Sequence, residues 1–247
     1  MKTKTKLLFI ALAASLMVFN ACKKNNHELE IIPTGNGPYS PTTEQSMAGL
    51  GTTPGYPTGT AFTLPANISI IGEIRGGIQG KSYQVNKQKY NGPFPIVAEE
   101  KAWVDYGTGT FVNLYIKFFN SLPTPSSVTI PGGLIFVDSA DLHEHIGNYQ
   151  KGYIMQSFTI PVPAMDTAFA HIKAYCLNAT LAASNYNAVY YIGPITNNPQ
   201  LNQITNIMAP KQYPFGEEYN IQQIVWDVTD HGLTLSAAQI QYLNSLP

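Results

Sequence analysis

The chain has 247 residues and an almost balanced charge, with 14 Lys and Arg against 15 Asp and Glu. Three of the basic residues lie in an N-terminal segment that we expect to be removed, which leaves the mature chain at a net charge of about −4. This mildly acidic balance argues against a nucleic-acid partner, because such partners need a basic face. Only 12% of the residues are charged, and Tyr and Thr are frequent, as in exported β proteins.

Residues 1–21 have the three parts of a secretory signal peptide. Three lysines precede an apolar run from Leu7 to Phe19, and the small Ala21 comes immediately before Cys22. The position of Cys22 resembles a lipobox, which implies that this cysteine is lipidated and becomes the new N-terminus. The alternative is an ordinary signal peptide followed by an unrelated cysteine. The lipoprotein interpretation predicts a membrane contact through the lipid on Cys22, in the cell envelope at the outer membrane or cell surface.

Residues 22–63 predict a flexible tether, because Pro, Gly, Thr and Ser dominate and no apolar periodicity is visible. From residue 64 to 247, short alternating apolar runs separated by Pro, Gly and Asn predict a single β-rich domain. The runs that predict strands include 110–118, 127–130, 133–137, 156–162, 170–177 and 188–192. Pro161 and Pro163 predict that their segment is an edge strand or a strand end.

Two or three short helices are predicted near the C-terminus. Residues 217–228 place apolar side chains on one face and end before Gly232. Ser236 and Gln239 form the sequence pattern of a capping box at the start of a last helix. A shorter helix is predicted over 202–208. The predicted fold class is therefore mainly β, a β-sandwich with two or three short C-terminal helices.

Cys176 is the only cysteine left once Cys22 is lipidated. It therefore cannot form a disulfide within the mature chain, which is unusual for an oxidising compartment. Three interpretations are open: a small buried apolar residue, half of an intermolecular disulfide, or a thiol committed to a partner other than sulfur.

Two short motifs carry a family resemblance. Tyr175-Cys176-Leu177 on a predicted strand and Ile221-Gln222-x-x-Val225-Trp226 on a predicted helix resemble the thioester domains of bacterial surface adhesins. The resemblance implies that the Cys176 sulfur and the Gln222 side-chain carbonyl form an internal thioester with loss of ammonia. An amine on another molecule can then displace the sulfur and leave a permanent amide.

The same resemblance gives supporting roles to neighbouring residues. Tyr175 belongs to the cysteine motif, and Trp226, one helical turn after Gln222, would pack over the bond and exclude water. His231 is the preferred candidate to assist the thiol, since His171 lies an odd number of residues from Cys176 on a strand and faces the other side. Gln223 is an alternative acyl donor, although it points about 100° away from Gln222 on a helix.

The sequence therefore predicts an adhesin-like surface lipoprotein that couples covalently to an amine on a host or neighbouring-cell surface protein or glycan. The alternative is a non-covalent glycan-binding, protein-binding or structural lipoprotein without a thioester. A turnover enzyme is not expected, because no nucleophile elbow, phosphate loop or dinucleotide fingerprint is present. No cofactor and no metal site are predicted, because His143 and His145 have no evident third ligand.

Overall fold

A computed structural model of the chain describes residues 47–53, 55–77, 102–140, 147–212 and 216–247. The predicted signal peptide, Cys22, the first part of the predicted tether (22–46) and the pair His143 and His145 lie outside these residues. Within the described part of the chain, no helix has the length and apolar character needed to cross a bilayer.

The described residues form eleven strands followed by three helices. The strands are β1 Gly59–Ala61, β2 Ile68–Ile70, β3 Ile74–Gly77, β4 Val104–Tyr106, β5 Val112–Asn120, β6 Ser126–Ile130, β7 Leu134–Asp138, β8 Gly152–Tyr153, β9 Phe158–Val162, β10 Thr167–Cys176 and β11 Val189–Thr196. The helices are α1 Pro199–Met208, α2 Glu218–Thr229 and α3 Ala237–Ser245. The prediction of a mainly β chain with short C-terminal helices is thus confirmed.

Six strands close into a barrel. Strands β5, β3, β11, β7, β8 and β10 follow one another around it, and β10 then pairs with β5 to close the ring. Strands β1, β2 and β4 extend this sheet, while β6 and β9 form a separate two-stranded sheet. The prediction of a plain β-sandwich is wrong in this respect, because β10 is hydrogen-bonded along both edges and leaves no gap between two sheets. Pro161 lies in β9, which pairs with β6 alone, as expected for an edge strand.

The alternation of side chains divides the core into two clusters. Inward positions of the strands, such as Leu114, Ile116 and Ile172, fill the barrel interior. Outward positions, such as Tyr153 and Tyr175, pack instead against the buried faces of the three helices. Strands with apolar side chains on both faces must be packed on both faces. The three helices pack on the outer face over one part of the barrel. This layer of helices is what brings α2 to the end of β10.

Local signals fix the helix ends. Asn198 accepts hydrogen bonds from the backbone N–H groups of Gln200 and Leu201 and caps α1. The predicted capping box of α3 is present, with Ser236 and Gln239 each bonded to the other's backbone. Helix α2 ends before Gly232, whose φ of 62° is readily adopted by glycine.

The domain includes residues that were predicted as tether. Leu50 is 1% exposed and packs with the helices, and β1 pairs with β11. The Gly51 N–H donates to the Leu177 carbonyl, directly after β10. Within the described residues, the domain therefore begins before the predicted boundary at 63, because Met47 and Leu50 are buried in a segment rich in Pro and Gly.

We predict that Leu50→Ala lowers the free energy of unfolding by about 2–5 kcal/mol, the usual cost of emptying a buried leucine site. Leu122→Ala is the matched control, since Leu122 is 44% exposed and should change stability by less than about 0.5 kcal/mol. Urea unfolding monitored by tryptophan fluorescence measures both. Equal small effects would show that residues 47–53 do not belong to the folded unit.

Candidate functional site

The candidate cysteine is the last residue of β10. Ala170, Ile172, Ala174 and Cys176 occupy alternate positions that face the barrel interior. Tyr175 has the opposite orientation and packs in the cluster beneath the helices. Cys176 has no exposed surface, so its thiol lies in an apolar, water-poor environment at the end of the barrel.

The candidate glutamine lies on α2, which contacts the end of β10. Ile221, Ile224, Val225 and Val228 bind the helix to the second cluster, as the apolar spacing of the sequence predicts. Gln222 is also fully buried. A buried amide is costly unless its donor and acceptor groups are hydrogen-bonded, so its partners define its role.

Both polar atoms of the Gln222 side chain bond to the backbone of Cys176. Oε1 accepts from the Cys176 N–H at 2.8 Å, and Nε2 donates to the Cys176 carbonyl at 2.7 Å. The β10–β5 ladder ends at the pair Ala174 and Val112. The Gln222 amide therefore takes the place that a further residue of β5 would occupy, and it satisfies two backbone groups that the strand leaves behind.

The cysteine sulfur has a backbone donor of its own. The Asn178 N–H points to Cys176 Sγ at 3.3 Å, and a donor at sulfur stabilises negative charge that develops there. Asn178 is held rigidly, since its side chain donates to the Gly51 carbonyl at 2.6 Å and accepts from the Lys151 N–H at 3.3 Å. Sequence analysis did not single out Asn178. An asparagine soon after a strand indicates a turn, and in such a turn a backbone N–H can point back to the strand end.

Trp226 lies in the same interior cluster as Cys176, one helical turn after Gln222. Its ring meets the Phe111 ring edge-on, with centroids 5.3 Å apart. Trp226 is 8% exposed. Trp226 thus shares a cluster with Cys176, and its packing over the bond stays a prediction. Its ring partner Phe111 precedes β5 and was not singled out in the sequence.

The two histidines lie apart from the buried pair. His231 is exposed over 62% of its side chain and contacts Asp227 at 3.2 Å. Among the described contacts of His231, none is with the Cys176 sulfur. An assisting role for His231 therefore stays a prediction. His171 bonds to Asp105 and Asn113 at 2.8 and 2.9 Å, on the outer face of β10 as expected.

Asp230 is a further residue near the pair that the sequence analysis did not single out. It is the C-cap of α2, eight residues after Gln222, and accepts from the Ala179 N–H at 2.9 Å and from the Thr229 hydroxyl at 3.0 Å. Burial raises the pKa of the Asp230 carboxyl above its usual value of 3.8, and these two hydrogen bonds act in the opposite direction. Asp230 therefore fastens the end of α2 to the turn that follows Cys176.

Comparison of the chain with protein-family models, with curated proteins and with solved structures gives no match. Among the described residues, no three His, Cys, Asp or Glu side chains are grouped as a metal site would require. The chemistry that this site can perform is accordingly argued from the contacts of Cys176 and Gln222 themselves.

We predict that Gln222→Ala lowers the free energy of unfolding by about 2–6 kcal/mol, because it removes the hydrogen bonds that Gln222 makes with the buried N–H and carbonyl of Cys176, at about 1–3 kcal/mol each. Gln223→Ala is the matched control, since Gln223 is only half-buried on the adjacent position. Chemical denaturation compares the two variants. A loss no larger for Gln222→Ala than for Gln223→Ala would contradict the role of this amide in the ladder.

We also predict a pH-dependent effect of Asp230→Asn. Because the folded chain holds a proton on Asp230 more tightly than the unfolded chain does, this residue makes stability fall as pH rises from about 3.9, the unfolded value, through the higher folded pKa. The variant lacks this fall, so its stability relative to the parent should improve between about pH 3 and pH 7. Urea midpoints across this range test the sign, and a relative stability that worsens with pH would contradict it.

Proposed function

We propose that this chain is a surface-anchored, adhesin-like lipoprotein in which Cys176 and Gln222 form an internal thioester for covalent attachment to an amine on a partner. The observation that carries the proposal is the pair of hydrogen bonds between the Gln222 amide and the Cys176 backbone. Two residues 46 positions apart are held side by side in a buried site. Such fixed proximity lowers the entropic barrier to a reaction between them.

Formation of the bond is an acyl transfer. The Cys176 sulfur adds to the Gln222 carbonyl carbon, the carbon–nitrogen bond to Nε2 breaks, and Nε2 leaves as ammonia with the thiol proton. Negative charge grows on Oε1 during the addition, and the Cys176 N–H already donates to this atom at 2.8 Å. The backbone N–H of the nucleophilic residue thus supports the proposal as an oxyanion donor.

In the capture step, sulfur is the leaving group and the partner's amine is the nucleophile. A primary amine adds to the same carbonyl carbon, the carbon–sulfur bond breaks, and sulfur takes a proton, which leaves a secondary amide and a free thiol. The Cys176 carbonyl, which accepts from Nε2 at 2.7 Å, marks the position of the nitrogen. The amide N–H of the product restores the hydrogen bond that is lost with ammonia. Because the bond is made once, the protein is a single-use reagent and not a turnover enzyme.

The anchor follows from the N-terminal sequence. A lipid on Cys22 would hold the chain at the outer membrane or cell surface, and the residues between Cys22 and Met47 would separate the domain from the bilayer. The partner would then be a protein or glycan on a host or neighbouring cell that carries an accessible amine.

A second candidate function is favoured by the same contact. Because both polar atoms of Gln222 are already hydrogen-bonded, the residue has a complete structural role without any covalent chemistry. The protein would then be a non-covalent binding or structural lipoprotein, with Cys176 as a buried core residue. The two candidates differ in the mass of the folded chain.

The deciding measurement is the intact mass of the chain from Lys23 onward. We predict a mass lower than that of the sequence by one ammonia, and a gain of one methylamine after incubation with that amine. Cys176→Ala and Gln222→Ala should each remove the deficit. Gln223→Ala should retain it, because Gln223 is the neighbouring amide outside the contact. A full mass with an intact thiol would leave the non-covalent function in place.

A further inference from the structure

Three loops meet at the end of the barrel where β10 begins, and Cys176 lies at the other end of this strand. β10 has ten residues from Thr167 to Cys176, so its two ends lie about 30 Å apart. Backbone hydrogen bonds connect the loops to one another. The loops comprise residues 65–67, 121–125 and 163–166, which we call the apolar tip.

The apolar tip presents almost no charge to solvent. Of its twelve residues, four are proline and one, Asp166, is charged. The Asp166 carboxylate accepts a hydrogen bond from the backbone N–H of Thr167 at 2.7 Å. Leu122 and Met165 are 44% and 61% exposed, so two large apolar side chains stand among small residues and prolines.

A single buried asparagine holds the three loops together. Asn120, the last residue of β5, has no exposed surface. Its Nδ2 donates to the carbonyl oxygens of Thr124 and Pro163 at 2.8 and 3.2 Å. Its Oδ1 accepts from the Asn67 side chain at 2.9 Å. The apolar tip is therefore a preformed surface, because one buried amide bonds to all three of its loops.

Met165 has an unfavourable backbone conformation. Its φ of 50° makes it the one non-glycine residue with a positive φ among the residues that the structure describes. Side chains with a Cβ disfavour this left-handed region, and asparagine tolerates it better. The Met165 N–H donates to the Leu122 carbonyl at 2.8 Å, which holds the turn in place. A strained backbone that presents an exposed methionine points to a contact made by that side chain.

We infer that the apolar tip rests in the interfacial region of the bilayer that carries the lipid anchor, and that the Cys176 end of the barrel faces away from this membrane. The inference rests on the anchor of the proposed function and not on the thioester. Leu122 and Met165 enter the boundary between headgroups and acyl chains. The tip contains no Lys or Arg, so the contact is apolar and does not require anionic lipids.

The size and composition of the apolar tip favour a bilayer over a protein partner. A stable protein interface uses about 20–30 residues on each side and is enriched in aromatic residues and arginine. The tip has twelve residues and contains neither. A weak apolar contact is sufficient at a membrane to which the chain is already attached, because the anchor raises the effective concentration of the tip at the surface.

The anchor permits this orientation and gives it a consequence. The 25 residues from Cys22 to Met47 can span at most about 85 Å, which exceeds the length of β10. The described chain enters the domain at the Cys176 end, where the Gly51 N–H donates to the Leu177 carbonyl at 2.9 Å. Contact of the opposite end with the bilayer turns the candidate pair outward, toward a partner on another cell.

Depth-dependent quenching tests the contact on the lipidated chain in phosphatidylcholine vesicles. A nitrobenzoxadiazole label is placed on Leu122→Cys or, as the control, on Tyr219→Cys. Tyr219 is 38% exposed and meets Phe111 just before β5, at the Cys176 end. Lipids with a nitroxide near the headgroup should quench the label at position 122 about threefold more than the label at 219. Equal quenching would overturn the inference.

A second variant separates the contact from folding. Met165→Asn, combined with the label at position 122, should reduce the quenching about twofold, because an amide replaces the inserted apolar side chain. Its urea midpoint should rise, because asparagine tolerates the φ of residue 165 better. Tyr219→Asn should leave the quenching unchanged. Undiminished quenching in Met165→Asn, or an equal reduction in Tyr219→Asn, would overturn the inference.

The intact mass of the chain purified in detergent separates the two levels of the argument. A chain without lipid on Cys22 contradicts the proposed anchor itself. A lipidated chain whose labels at positions 122 and 219 are quenched equally keeps the anchor and contradicts only the contact of the apolar tip. Neither result depends on whether the thioester forms.

Discussion

Strand β10 is hydrogen-bonded along both of its edges, and the closed barrel depends on this double pairing. β5 follows one edge only as far as Ala174, so its ladder does not reach the buried backbone of Cys176. Gln222 supplies both partners from α2. One side chain thereby completes the sheet, fastens the helix layer to the barrel and sets the geometry of the candidate site.

The same contact has different consequences for stability and for chemistry. As a structural contact it is fully satisfied, because both polar atoms of the Gln222 side chain are hydrogen-bonded to the Cys176 backbone. In the proposed acyl transfer, the bond to Oε1 would strengthen because charge grows on that oxygen, whereas the bond from Nε2 would be lost when ammonia departs. The Cys176 carbonyl would then lose its bond to Gln222, and the N–H of the amide formed with an incoming amine would replace it. Under the proposed function, the hydrogen bond of Nε2 would therefore oppose formation of the thioester and favour its reaction with an amine.

Around this contact, hydrogen bonds of polar side chains hold the turn after β10. Asn178 and Asp230 connect this turn to Gly51, to Lys151 just before β8 and to the end of α2. Phe111, just before β5, contacts both Trp226 and Tyr219, and Tyr219 in the first turn of α2 is 38% exposed. Burial of the pair would slow hydrolysis of the proposed thioester.

The sequence by itself determined what local chemistry controls. The capping box at Ser236, the stop before Gly232, the edge position of Pro161 and the inward alternation that ends in Cys176 all follow from short-range sterics and hydrogen bonding. Only the tertiary structure decided closure of the barrel. Apolar and polar side chains alternate in the same way in a sandwich and in a barrel, and the pairing of β10 with β5 that closes the ring joins residues far apart in the chain. It also decided that Leu50 belongs to the domain, that Asn178 aims a donor at the sulfur, and that Gln222 rather than Gln223 meets Cys176. These contacts depend on long-range packing, which periodicity and spacing do not encode.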